Sequence, residues 1–144
     1  QSPLPTSGTV LISVNNQDKT AVLETAREFA KLGFKIKATA GTFYYLQQHG
    51  VIAEKINKIY EGRPNIVDGI TNGEINLVIN TPSGKRSQYD DSYIRKAAIK
   101  YKVPYITTVA AAHASAMGIA AYLENNHPET KLKSLQEYHA EITI

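Results

Sequence analysis

Short apolar runs alternate with helix-like stretches along almost the whole chain, and few folds accept that order. TVLISV (Thr9 to Val14), FKIKA (Phe34 to Ala38), INLVIN (Ile75 to Asn80) and the stretch Pro104 to Thr108 read as strands, with a short extended piece from Val51 to Ile56. TVLISV and INLVIN are nearly continuous in apolar residues, as strands covered on both faces are. FKIKA alternates apolar and polar residues. Between these runs the spacing turns helical. Val22, Leu23, Ala26, Phe29 and Ala30 recur on one face of a helix over Asp18 to Leu32, which Gly33 ends. Thr42 is placed to cap a short helix through His49. Pro64 suits the first turn of a helix running to about Asn72. Asp90 or Asp91 starts another, with Ile94, Ala97, Ala98 and Tyr101 on its inner face. Ala110 to Leu123 makes the next, and Ser134 with Glu137 forms a capping box on a last short one. This alternation predicts an α/β fold: a three-layer α/β/α domain around a five-stranded parallel sheet, with right-handed crossovers.

In an open parallel sheet, ligands bind beyond the carboxyl ends of the strands. Three corners fall there: SVNNQDKT (Ser13 to Thr20), ATAGT (Ala38 to Thr42) and NTPSGKR (Asn80 to Arg86). Lys19 stands in the first turn of the first helix, where the backbone already favours an anion and a lysine adds a mobile charge suited to phosphate. A solvated surface lysine is the plainer reading. Thr39 and Thr42 bracket Gly41, so two hydroxyls can meet phosphate oxygens while the backbone comes close. A simple turn capped by Thr42 is compatible with that. Lys58 could complete a phosphate cage, and Arg63 and Asp68 could equally form a surface ion pair. Asn80, Thr81, Ser83, Gly84, Lys85 and Arg86 make a polar ligand wall or a solvent loop. Gly84-Lys85 lacks the Ser or Thr of a nucleotide-triphosphate loop, so an ATPase is rejected.

Other classes fall away on composition. The 144 residues suffice for one domain with a core. There is no cysteine, so disulfides and thiol catalysis are excluded, which fits a cytoplasmic location. The four histidines, His49, His113, His127 and His139, show no metal-ligand spacing, and no metal site is expected. His113, near the end of the fifth strand, is close to the ligand corner in this reading. The adjacent Asp90 and Asp91 read as caps rather than a paired acid and base, so no catalytic residue is assigned. A net charge of +3 from scattered lysines does not suggest a nucleic-acid partner. No apolar run reaches membrane length. The opening QSPLPTSG has linker composition, so residues 1–8 are expected to join a preceding domain and 9–144 to form the domain itself.

The corners taken in order, LISVNNQDK, KATAGT, NKIYEGRPNIVD, NLVINTPSGKRSQYDDSYIRKAAIKYKVPYITT and SLQEYHAEI, carry a family resemblance over Gly8 to Ile142. EGRPNIVD and INTPSGKRS are its most specific parts. The chain resembles the C-terminal allosteric domain of the bacterial-type carbamoyl-phosphate synthetase large chain, whose fold is named after methylglyoxal synthase. The resemblance implies regulation rather than catalysis. In that family the domain binds nucleotides, UMP as inhibitor and in many bacterial members IMP as activator, and so tunes carbamoyl phosphate synthesis for pyrimidines and arginine. By the same resemblance Lys19, Thr39, Gly41, Thr42 and Lys58 hold the effector phosphate, and Ser13, Asn80, Thr81 and Asp90 lie near sugar and base. No cofactor is implied in this domain; the parent enzyme uses ATP with Mg or Mn. Implied partners are the other domains of the large chain, the glutaminase small chain, and a second copy through this domain. Pro82 stands where enteric relatives have threonine, which removes a hydroxyl and an N–H. Ile106 stands where they carry an acidic residue used for ornithine, so ornithine binding does not carry over.

Relatives of the same fold offer alternatives. Methylglyoxal synthase needs a carboxylate base, and Arg63 falls at that position, with the second aspartate position near Ser92. A guanidinium cannot take a proton at neutral pH. IMP cyclohydrolase carries a His-Pro-Lys segment absent here. The urea-cycle synthetase, which binds N-acetylglutamate, lacks EGRPNIVD and TPSGKR. An enzyme of this fold acting on another phosphorylated small molecule, or an oligomerisation module, are the remaining readings.

Overall fold

The computed structural model describes residues 3–82 and 88–126. Five strands, β1 (Thr9–Ser13), β2 (Lys35–Ala38), β3 (Glu54–Lys55), β4 (Leu77–Asn80) and β5 (Tyr105–Ile106), form one sheet in the order β3-β2-β1-β4-β5. Every pairing is parallel. The helices are α1 (Lys19–Lys31), α2 (Ala40–Gln48), α3 (Ile66–Thr71), α4 (Gln88–Lys100) and α5 (Val109–Asn126). The expected fold class is the one observed.

The sheet is central because its middle strands are apolar on both faces. β1 sends Val10 and Ile12 into a core with Val22, Ala26 and Phe29 of α1 and Ala112, Ala116 and Ile119 of α5. Leu11, between them, points the other way and joins Ile66 and Ile70 of α3 and Ile94 of α4. β4 repeats the pattern, with Leu77 and Ile79 on the first face and Val78 on the second. This is the period-two alternation of a strand buried between two helix layers.

Register aligns the ligand corners. Ile12 pairs with Ala38 on β2, and Ser13 pairs with Asn80 on β4. Thr39, Ser13 and Asn80 therefore stand side by side at the carboxyl ends of three adjacent strands. At the opposite end of β1, Gly8 adopts φ +115°, and a Cβ there would lie 2.2 Å from Asn76 Oδ1. That same oxygen accepts the Thr9 N–H at 2.9 Å, so the chain enters β1 through a close approach that only glycine permits.

Several expected boundaries shift for local reasons. Asn16–Asp18 is a 3-10 turn, and α1 begins one residue later than expected, at Lys19. Thr39, not Thr42, occupies the cap of α2, because Thr39 is still extended (φ −73°, ψ 160°) while Thr42 already lies inside the helix. Pro64 lies before α3 rather than in its first turn, because Asn65 is the cap, its side chain accepting the N–H groups of Val67 and Asp68. Tyr101 is exposed rather than internal. α4 stops at Lys100 and Lys102 turns the chain at φ 59°, so the helical face ends at Ala98. β5 covers only Tyr105–Ile106 of the expected strand. The loop residues Ser83, Gly84, Lys85 and Arg86 and the capping box at Ser134 and Glu137 lie outside the described residues.

Candidate functional site: a cationic cavity at the sheet's carboxyl end

A cavity of about 590 Å3 opens where the first two corners meet. Ser13, Lys19, Thr39, Gly41, Thr42, Lys58 and Thr81 all line it, seven of the nine positions expected from the sequence. β1 delivers Ser13 and β2 delivers Thr39, so the sheet register sets their spacing. Thr39 Oγ1 donates to Ser13 Oγ at 2.9 Å. The Ser13 hydroxyl, having accepted that bond, keeps its own hydrogen for a ligand. Because Thr39 turns to Ser13, its side chain makes no cap bond, and the first amides of α2 have no side-chain acceptor. Thr42 is almost fully buried, and its Oγ1 accepts the Val14 N–H at 3.2 Å, tying α2 to the end of β1.

Two ammonium groups supply the charge. Lys19 leaves the first turn of α1 and hydrogen-bonds Asn16 Oδ1. The Lys19 ammonium lies against the start of α2, where a Cβ at Gly41 would stand 3.4 Å from Nζ, in ordinary contact. Burial, and then the neighbouring charge of Lys58, hold Lys19 below the usual lysine pKa. A site that crowds two cations favours an anion. No carboxylate and no histidine appears among the described lining residues.

The remaining two expected residues are placed differently. Asn80 turns its amide away: Nδ2 donates to Asp91 Oδ1 and to the Tyr105 hydroxyl oxygen, both at 2.9 Å. It lines a second cavity of about 310 Å3 with Asp91, Ser92, Arg95, Tyr105 and Thr107, which touches the first at Pro82. Asp90 lines neither. Burial and the adjacent Asp91 raise its carboxyl pKa, while the charge of Lys58 opposes them. His113 is not at the cavity; its Nδ1 lies 3.4 Å from Thr25 Oγ1, between α5 and α1. Arg63 pairs with Asp68 at 2.6 Å in an exposed ion pair, outside the cavity lining. Among the described residues no group of acidic or histidine side chains is arranged to hold a metal, and no helix is long and apolar enough to cross a membrane.

Asn15 was not expected to matter. Its backbone N–H bonds Thr81 Oγ1 at 2.9 Å, its Nδ2 bonds the Pro82 carbonyl at 2.7 Å, and its Oδ1 accepts the Asp18 N–H at 2.9 Å. Its position three residues ahead of Asp18, before a helix, was the available signal.

The sequence profile of the MGS-like domain family matches residues 21–107, more than half of the chain. The chain belongs to the MGS-like domain family. Its relatives narrow the kinship. The carbamoyl phosphate synthase large chain, C-terminal section, of Aquifex aeolicus is 49% identical over 94% of this chain and 26% of that protein. The carbamoyl phosphate synthase large chain of Methanothrix thermoacetophila is 48% identical over 99% of this chain and 13% of that protein. The chain thus spans between about an eighth and a quarter of the length of these relatives. Among solved structures, methylglyoxal synthase from Elizabethkingia anophelis superposes with a TM-score of 0.63, covering 78% of this chain and 79% of that one at 17% identity, which shows the shared fold. The kinship expected from the corner motifs is the one found: an MGS-like domain akin to the C-terminal part of the synthase large chain.

Proposed function

We propose that this domain is the nucleotide-effector site of a carbamoyl-phosphate synthetase large chain, holding the phosphate of UMP or IMP in the cationic cavity. The observation that carries the reading is the convergence of Lys19, Lys58, the Ser13 and Thr42 hydroxyls and the start of α2 on one cavity without a described carboxylate. Such a cavity binds a phosphate dianion and offers it no general base. Regulation therefore fits better than phosphate elimination, and the Arg63–Asp68 pair supports that choice, because the guanidinium is already engaged. In the proposal the sugar and base extend past Thr81 and Pro82. Residues 1–8 lead from the preceding part of a longer cytoplasmic polypeptide, which uses ATP with Mg or Mn and works with a glutaminase chain. Self-association through this domain is compatible with the same site.

Calorimetric titration with UMP, IMP and N-acetylglutamate tests the reading. Heat is expected with at least one nucleotide and none with N-acetylglutamate, which lacks a phosphate. No heat from either nucleotide at millimolar concentration would sink it. An effect on reaction rate is expected only in the longer enzyme, since an effector acts by binding two states of the whole molecule unequally.

Affinity is also expected to depend on pH in a set direction. A phosphate monoester gains its second charge near a pKa of about 6, so binding strengthens as pH rises through that value. It weakens again when Lys19 loses its proton, which happens below the ordinary lysine range. A bound dianion raises the Lys19 pKa, so binding on the alkaline side takes up protons. Titrations in buffers of different ionisation enthalpy measure that uptake. Affinity that stays flat from neutral pH to pH 10.5 would show that Lys19 does not hold the anion.

A further inference from the structure

The β1 and β4 corners of the cavity are bridged by the Asn15 side chain. Asn15 follows β1, and its carboxamide uses both ends. Oδ1 caps the turn Asn16–Asp18, which sets where α1 starts and so where Lys19 stands. Nδ2 crosses to the β4 corner and bonds the Pro82 carbonyl at 2.7 Å. Pro82 has no N–H, so its carbonyl is the backbone group this position can offer Asn15. The backbone adds two parallel links, Asn15 N–H to Thr81 Oγ1 at 2.9 Å and Thr81 N–H to the Ser13 carbonyl at 3.0 Å. Among the described residues, the Asn15 side chain is the one that joins the Lys19 turn to Pro82, the residue shared by both cavities.

We propose that Asn15 is a positioning residue that fixes the distance between the phosphate end of the site and its far wall at Pro82. It thereby sets selectivity for a phosphate that carries a nucleoside over phosphate alone. This deepens the effector reading and rests on it. A free phosphate touches only the Lys19 side. A nucleoside monophosphate must meet both walls at once, so loosening one against the other weakens the larger ligand more.

Two substitutions separate this role from plain support. Asn15→Ser keeps a short cap acceptor for the Asp18 N–H but cannot reach Pro82. Asn15→Ala loses both bonds. The 144-residue chain and each variant are titrated with inorganic phosphate and with UMP. Asn15→Ser is expected to keep the wild-type affinity for phosphate and to bind UMP about five- to tenfold more weakly, the effect of one hydrogen bond. Asn15→Ala is expected to weaken both ligands. If Asn15→Ser binds UMP as the wild type does, or loses UMP and phosphate equally, the positioning role is overturned while the effector reading stands. If the wild type binds phosphate and neither UMP nor IMP, the effector reading fails, and this inference with it. Thermal unfolding of Asn15→Ser close to wild type shows that the fold is not what changed.

Discussion

Replacing both cavity lysines, Lys19→Ala with Lys58→Ala, is expected to weaken phosphate or UMP binding by about 3–5 kcal/mol, a loss of two to nearly four orders of magnitude. A hydrogen bond to a charged group contributes about 1.5–3 kcal/mol, and two that share one anion do not simply add. The sign of a second effect makes the test sharper. Burial, and after it the charge of Lys58, disfavour the Lys19 ammonium and lower its pKa. Removing both ammoniums removes that repulsion together with the cost of burying the Lys19 charge. The ligand-free variant is therefore expected to melt no lower than wild type while its affinity collapses. Calorimetric titration gives the first quantity and scanning calorimetry without ligand gives the second. Unchanged affinity would make both lysines surface residues. A large fall in melting temperature would mean that they serve the fold.

Phe29→Ala is expected to do the opposite, costing about 3–5 kcal/mol of folding stability and leaving the site intact in molecules that remain folded. Phe29 is fully buried in the C-terminal half of α1, and its ring meets Phe34 edge-to-face at a centroid distance of 5.3 Å. It packs in the core that α1, α5 and one face of the sheet share. Alanine loses the transfer free energy of the ring, leaves a cavity between these layers, and removes an aromatic pair that contributes about 0.5–1.5 kcal/mol beyond area burial. For a domain of this size each kcal/mol moves the melting temperature by roughly 3–4 °C, so a fall of roughly 10–20 °C is expected. Urea unfolding followed by circular dichroism measures the stability. A loss below about 1 kcal/mol would mean that the α1–α5 layer and the sheet close over the gap, and would contradict the packing described.

These residues also mark what the sequence made legible. Phe29 was visible because a helix with one buried face repeats every three or four residues, and TVLISV and INLVIN were visible because a strand buried on both faces cannot hide its apolar run. β3 and β5, two residues each, were blurred because edge strands are held by their neighbours rather than by a pattern of their own. At the site, Lys19, Thr39, Thr42 and Lys58 were legible through the family resemblance, and each lines the cavity. Which way a side chain turns at a strand end was not legible. Asn80 and Ser13 are register partners, yet Ser13 faces the cationic cavity and Asn80 bonds Asp91 and Tyr105. That difference is made by α4 and β5, which come later in the chain and supply the acceptors. Asn15 escaped notice for a related reason. Its cap is local and readable, but its bond to Pro82 spans 67 positions in sequence.

The glycine at the entrance to β1 has a mechanical consequence. β1 is five residues long and buried at every one of them, so it spans about 17 Å of interior. Its near end is clamped where Gly8 presses on Asn76, and its far end is Ser13 in the cavity wall. A strand gripped on both faces cannot slide by one residue without turning every side chain to the wrong face, nor stretch while its ladders hold. A displacement of Ser13 along the strand axis would therefore be felt at Gly8, at the entrance to the same strand, as well as sideways at Thr39 and Thr81.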